Sequence, residues 1–400
     1  MKFLVQILLL GILSSCGFRA AETQTVSSVM AAYKHHTCAV AKGGALYCWG
    51  YNGFGQLGNA SDVDSKEPVL ATVVTGEVTA VTVGGAHTCY IVDNDPYCFG
   101  YNGKDDLGVL GNGTTEHSKT PVSPTGLSAK ATSAISTHGF FTCVINAGAV
   151  YCWGTNPFGT LGDGTTDSSR DPVATSITSG ASAVSVGERH VCAVSSGALF
   201  CWGLNTYGQM GDGTLNRKSV PTAVIGLTSG VTAVAVGGFH TCAIVNGGLY
   251  CWGQNTYGQV GDESGENQVT PVAITGMGSG ITAISAGEAH TCAIKDSKAY
   301  CWGYNAVGQV GDGTTTNATA PVQVSTLSSG VTSVVAGGFH SCAVIGGETY
   351  CWGHNDDGQL GLGNTTQATS PTFLVLNESS AAFPLLWWAR LESWMRKLFF

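Results

Sequence analysis

Fourteen of the fifteen cysteines fall into seven pairs, one pair per unit of about fifty residues. They are Cys38/Cys48, Cys89/Cys98, Cys143/Cys152, Cys192/Cys201, Cys242/Cys251, Cys292/Cys301 and Cys342/Cys351, and each pair brackets a turn signal. Successive first cysteines are 51, 54, 49, 50, 50 and 50 residues apart. A repeat of this length is one supersecondary unit that buries its core only by stacking on its neighbours. The pattern points to a seven-unit β-propeller stapled by disulfides outside the cytoplasm.

Hairpin geometry supplies the pairing. In the fifth unit, Asn246-Gly247 suits the tip of a two-residue turn, because both residues tolerate positive φ. Val245 then faces Gly248, Ile244 faces Leu249, Ala243 faces Tyr250, and Cys242 faces Cys251. The same fold-back puts Asp93-Asn94, Ala147-Gly148, Ser196-Gly197, Asp296-Ser297 and Gly346-Gly347 at tips, while unit one turns through Lys42-Gly43-Gly44. Directly opposed residues lie roughly 4.5–5.5 Å apart at Cα, within reach of a disulfide. The alternatives are zinc and buried free thiols. Zinc would draw on His240, Cys242 and Cys251, one ligand short of a structural site. Unit three has Phe141 at the histidine position yet keeps Cys143 and Cys152, so the cysteines do not need the histidine.

Residues 1–15 carry one early Lys and then an apolar run, the pattern of an export signal and too short to span a bilayer comfortably. Leu13-Ser14-Ser15-Cys16 resembles a bacterial lipobox, which makes Cys16 the expected lipidation site; an ordinary signal peptide with an incidental Cys is the alternative. Export and disulfides support each other, since stable disulfides belong to oxidising compartments. Residues 16–25 read as a linker, 26–376 as the propeller and 377–400 as a tail. The tail's Trp387, Leu391, Trp394, Met395 and Leu398 share one side of a helix, with Arg390, Ser393 and Lys397 on the other. Such a helix suits a membrane interface or the propeller's own surface.

Each unit offers four strand candidates, in unit five 231–236, 240–245, 249–253 and 271–275. The first is apolar at nearly every position, the pattern of a strand buried on both faces. Gly-x-x-His-Thr, a hairpin, Tyr-Cys-Trp-Gly-x-Asn-x-x-Gly-Gln-x-Gly-Asp-Gly-Thr and a later Pro-Val resemble the repeat of the regulator of chromosome condensation family. The resemblance implies an all-β, circular seven-bladed propeller of four-stranded antiparallel blades. It also implies that cysteines replace the apolar or small residues usual at those positions.

Other recurring residues read as architecture. His36, His87, His190, His240, His290 and His340 are spread around a ring rather than gathered, so they are expected to bond backbone within or between blades. Trp49, Trp153, Trp202, Trp252, Trp302 and Trp352, with Phe99 in unit two, read as packing between blades. Asp163, Asp212 and Asp312 precede Gly-Thr and cap turns, since a calcium loop needs several convergent oxygens. The extra tryptophans that a photoreceptor of this family uses are replaced by Gly238-Phe239, Glu188-Arg189 and Glu288-Ala289.

The formal charge of −9, with 17 Lys plus Arg thinly spread, argues against nucleic acid. No nucleophile–base order, phosphate loop or paired-carboxylate pattern stands out. No cofactor, metal or catalytic residue is therefore expected. The reading is a non-enzymatic, envelope-anchored or secreted scaffold that binds a protein or polymer partner through loops on one face. Membrane contact would run through Cys16 and the tail. Guanine-nucleotide exchange, implied by the family, and inhibition of an extracellular enzyme are the alternatives. Irregular loops in unit two, at 93–96 and 104–111, mark one place where specificity could reside.

Overall fold

In a computed structural model, which describes residues 26–103 and 107–376, the chain forms seven antiparallel sheets of four consecutive strands each. The blades span 26–70, 78–122, 132–174, 181–223, 231–273, 281–323 and 331–374. The export signal, Cys16, the linker, the tail helix and part of the unit-two insertion lie outside the described residues. Strands run outward in chain order from a central channel, and blades 1 and 7 share no strand.

The hairpin between the second and third strands has the expected register. Cys242 faces Cys251 and Val245 faces Gly248, with Asn246 and Gly247 both at positive φ. Seven disulfides join Cys38–Cys48, Cys89–Cys98, Cys143–Cys152, Cys192–Cys201, Cys242–Cys251, Cys292–Cys301 and Cys342–Cys351, each across 4.1 Å at Cα.

Two expectations need correction. The fourth strand of blade 5 is Gln268–Ala273, because pairing begins at Gly253–Gln268, ahead of Pro271, with a bulge between Cys251 and Gly253. The apolar first strand is not buried on both faces. Val231–Val236 is only partly covered, whereas the second strand, His240–Val245, is buried at its first five positions. The seven first strands line the channel, which holds a cavity of ≈ 320 Å³ walled by Val81, Val186, Val236, Ser185, Ser285 and their counterparts. Facing this channel, each first strand has an unpaired edge, and several edge N–H groups are satisfied by a neighbouring hydroxyl. Val186 N donates to Ser136 Oγ at 3.0 Å, Val236 N to Ser185 Oγ at 3.0 Å and Ala336 N to Ser285 Oγ at 2.9 Å.

Candidate ligand-binding face

The recurring histidines and tryptophans form clamps between blades. At the junction of blades 5 and 6, Thr291 Oγ1 donates to the Gln259 carbonyl at 2.8 Å, and Trp302 Nε1 donates to the same carbonyl at 3.1 Å. Since the hydroxyl has spent its proton, it accepts from His240 Nε2–H at 2.8 Å. The partner is therefore a hydroxyl rather than the backbone expected from sequence. The clamp recurs at His190–Thr241 (2.8 Å), His290–Ser341 (2.9 Å) and, closing the ring, His340–Thr37 (2.7 Å). Each Nδ1 is left bare and buried. Burial therefore holds these imidazoles neutral, with His240 pushed down to about 3 and His87 to about 4. A ring packed this tightly requires glycine beside it: a Cβ on Gly237 would lie 2.4 Å from His240 Cε1.

Blades 3 and 4 meet differently. Phe141 stands for the histidine, Val191 for the threonine and Thr160 for the glutamine, all buried. Only the indole bond survives, from Trp202 Nε1 to the Thr160 carbonyl at 2.9 Å.

The Asp-Gly-Thr turns are used internally. Asp212 Oδ1 accepts from Thr214 N at 3.0 Å and from Asn205 Nδ2 at 3.1 Å. The Asn of each Trp-Gly-x-Asn run is buried and organises the loop after the third strand, as when Met210 N donates to Asn205 Oδ1 at 2.9 Å. No group of three or more potential metal ligands exists among the described residues.

A further departure from sevenfold repetition lies at one end of the channel, in the turns between first and second strands. Five blades carry glycine at the first turn position, whereas blade 1 has Tyr33 and blade 3 has His138. At the next position blades 1, 4 and 6 have Lys34, Glu188 and Glu288. These side chains converge over the channel mouth. Tyr33 hydroxyl donates to Glu188 Oε2 at 2.5 Å, and its ring meets the His138 ring edge-on, with centroids 4.2 Å apart. Lys34 Nζ lies 3.7 Å from Glu188 Oε2 and 3.3 Å from Glu288 Oε2, and His138 Nδ1 lies 3.4 Å from Glu188 Oε2. Burial alone would raise the Glu188 carboxyl, but His138, the Tyr33 hydroxyl and the Lys34 charge together hold it down at about 2. Burial and then the charges of Glu188 and Glu288 push the Tyr33 phenol up, so it keeps its proton.

The same turns and the loops after the third strands carry an aromatic girdle. Phe54 packs on Tyr101 (4.9 Å), Tyr101 on Phe140 (5.7 Å), Tyr207 on Phe239 (5.5 Å) and Tyr257 on Tyr304 (4.9 Å). Arg189 lies over Phe158 at 4.9 Å. Phe140 and Tyr257 remain 44% and 39% exposed, large apolar surface left open on a rigid rim. Sequence reasoning noted Glu188 and Glu288 only as residues that were not tryptophan, and overlooked Tyr33, Lys34 and His138. Aligning the seven turns and asking where glycine is missing would have exposed them.

The RCC1-like domain model matches residues 63–385, and the RCC1 repeat model matches 29–56. The chain belongs to the RCC1-like family. A human relative, the E3 ubiquitin-protein ligase HERC2, is 32% identical over 34% of this chain but 3% of its own length. The ultraviolet-B receptor UVR8 of Arabidopsis thaliana is 32% identical over 36% of this chain and 33% of its own. The chain thus spans a third or less of these relatives. Among solved structures, yeast RCC1 (Prp20) bound to Kap60 superposes with a TM-score of 0.72 at 22% identity, covering 90% of this chain and 87% of that one. Human WBSCR16 gives 0.72 at 19%, covering 83% and 94%. At these identities the likeness concerns the fold.

Proposed function

We propose that this RCC1-like propeller is a non-enzymatic scaffold that binds a protein or polymer partner on the aromatic face around the channel mouth. The observation that carries the reading is the concentration there of partly exposed side chains at positions that vary from blade to blade: Phe140, Tyr257, Lys34, Glu188 and Glu288. Repeated residues are consumed by the clamps and turns, which leaves little chemistry on them for recognition. Aromatic anchors in a rigid setting are what an interface needs, because ordering them on binding costs little. A protein partner fits the behaviour of a structural neighbour, Prp20p of yeast, whose structure was studied with its binding to Gsp1p and histones. Guanine-nucleotide exchange rests on that fold likeness alone.

The seven disulfides fit an oxidising compartment. We place the protein outside the cytoplasm, anchored to the cell envelope by diacylated Cys16 and assisted by the tail, with secretion as the alternative. Fatty-acid labelling of the wild type that disappears in Cys16→Ser supports the anchor; equal lack of label in both refutes it. For the binding face, a partner captured from envelope extract is expected to be lost when Phe140→Ser and Tyr257→Ser are combined. Retention of that partner by the folded double variant would overturn the assignment.

A further inference from the structure

The channel mouth is built for a cation that it does not hold well. Lys34 Nζ sits 3.3 Å from Glu288 Oε2 and 3.7 Å from Glu188 Oε2. Ammonium–carboxylate hydrogen bonds are ordinarily about 2.7–2.9 Å. Glu288 Oε2 is buried and accepts no hydrogen bond. His138, 8% exposed and turned into the same cluster, has its Nδ1 3.4 Å from Glu188 Oε2, too long for a good hydrogen bond. A buried carboxylate oxygen without a hydrogen bond is costly, so Glu288 Oε2 in this small site points to a missing donor-rich group.

We propose that the mouth recognises a guanidinium group, the arginine side chain of a protein partner, and that Lys34 occupies its place in the free protein. A guanidinium carries five N–H donors in a planar fork, enough to serve both carboxylates at once where one ammonium reaches neither closely. A ring for it to lie against is already present, since Lys34 Nζ stands 5.2 Å from the Tyr33 ring centroid. This inference rests on the same face being the partner-binding face, and names the chemistry of the group that enters.

The test uses N-acetylarginine amide as probe and N-acetylcitrulline amide as its uncharged counterpart, with binding followed by calorimetry on the folded, oxidised protein. Removing the internal competitor in Lys34→Ala is expected to tighten arginine binding by about tenfold, with citrulline unaffected; adding Glu288→Gln should cancel the gain. Lys34→Met, which keeps the apolar stem, serves if the alanine variant folds poorly. A Lys34 variant that binds the arginine probe no better than the wild type, or binds citrulline equally, overturns the proposal. Partner capture is scored through Phe140 and Tyr257, so a negative probe result leaves the assignment of the face standing on its own readout.

Discussion

The junction between blades 5 and 6 and that between blades 3 and 4 solve the same packing problem with different chemistry. One is polar, with His240 donating to Thr291 and Thr291 to the Gln259 carbonyl. The other is apolar, with Phe141 and Val191 in the corresponding places. Both sides of the clamp change together although fifty residues separate them in the chain. A lone phenylalanine would have left a buried hydroxyl without its donor, and a lone valine a buried imidazole N–H without its acceptor. The histidine is therefore one half of a hydrogen bond, and its recurrence reports ring assembly rather than catalysis.

The comparison can be broken in several ways. The disulfides are common to both junctions, so removing one should cost the same in either place. Cys143→Ser/Cys152→Ser and Cys242→Ser/Cys251→Ser are each expected to lose roughly 2–3 kcal/mol in denaturant unfolding, from loops of about ten residues. A much larger loss in one blade would mean that its junction leans on the disulfide.

Next in size, Thr291→Val strands the His240 N–H and should cost about 1–3 kcal/mol, most of it recovered in His240→Phe/Thr291→Val. Simple additivity of the two changes would show that the clamp is not a unit. Acid gives a further contrast. The clamp histidines titrate at about 3 to 4 when folded, below the unfolded value of about 6.5, so the unfolded chain binds more protons between these limits. Stability from this source is complete above about pH 6.5 and declines as pH falls through that value toward 4. Melting temperatures across this range should drop less steeply for His240→Phe/Thr291→Val than for the wild type; parallel profiles would exclude the histidines as the cause. The smallest effect is expected from building a clamp where none exists. Phe141→His/Val191→Thr should be worth within about 1 kcal/mol of the wild type, while Phe141→His alone is clearly destabilising.

What was legible in the sequence follows the range of each interaction. Cys242 facing Cys251, the Asn246-Gly247 tip and the inward tryptophans depend on register within one hairpin or on a residue's size, and the repeat displays each of them several times. The boundary at Gln268 was misplaced because Pro271 looked like a strand start, whereas backbone pairing to Gly253 determines it. The first strand's apolar run was misread because a channel-lining edge and a doubly covered strand call for similar residues. The mouth was not visible at all. Tyr33 and Glu188 are 155 residues apart and meet only because ring curvature brings blades 1 and 4 across the axis. Pairwise hairpin reasoning contains no such term.

The central claim is that residues repeated in nearly every blade hold the ring, and that residues at positions varying between blades recognise the partner. It is tested most directly by carrying His240→Phe/Thr291→Val and Phe140→Ser/Tyr257→Ser through the same two assays, thermal melting and partner capture. The clamp variant should melt slightly below the wild type at neutral pH, since the paired change restores most of the stability, and still capture. The face variant should melt with the wild type, as exposed substitutions ordinarily do, and fail to capture. A clamp variant that folds yet loses the partner, beside a face variant that keeps it, would contradict the claim.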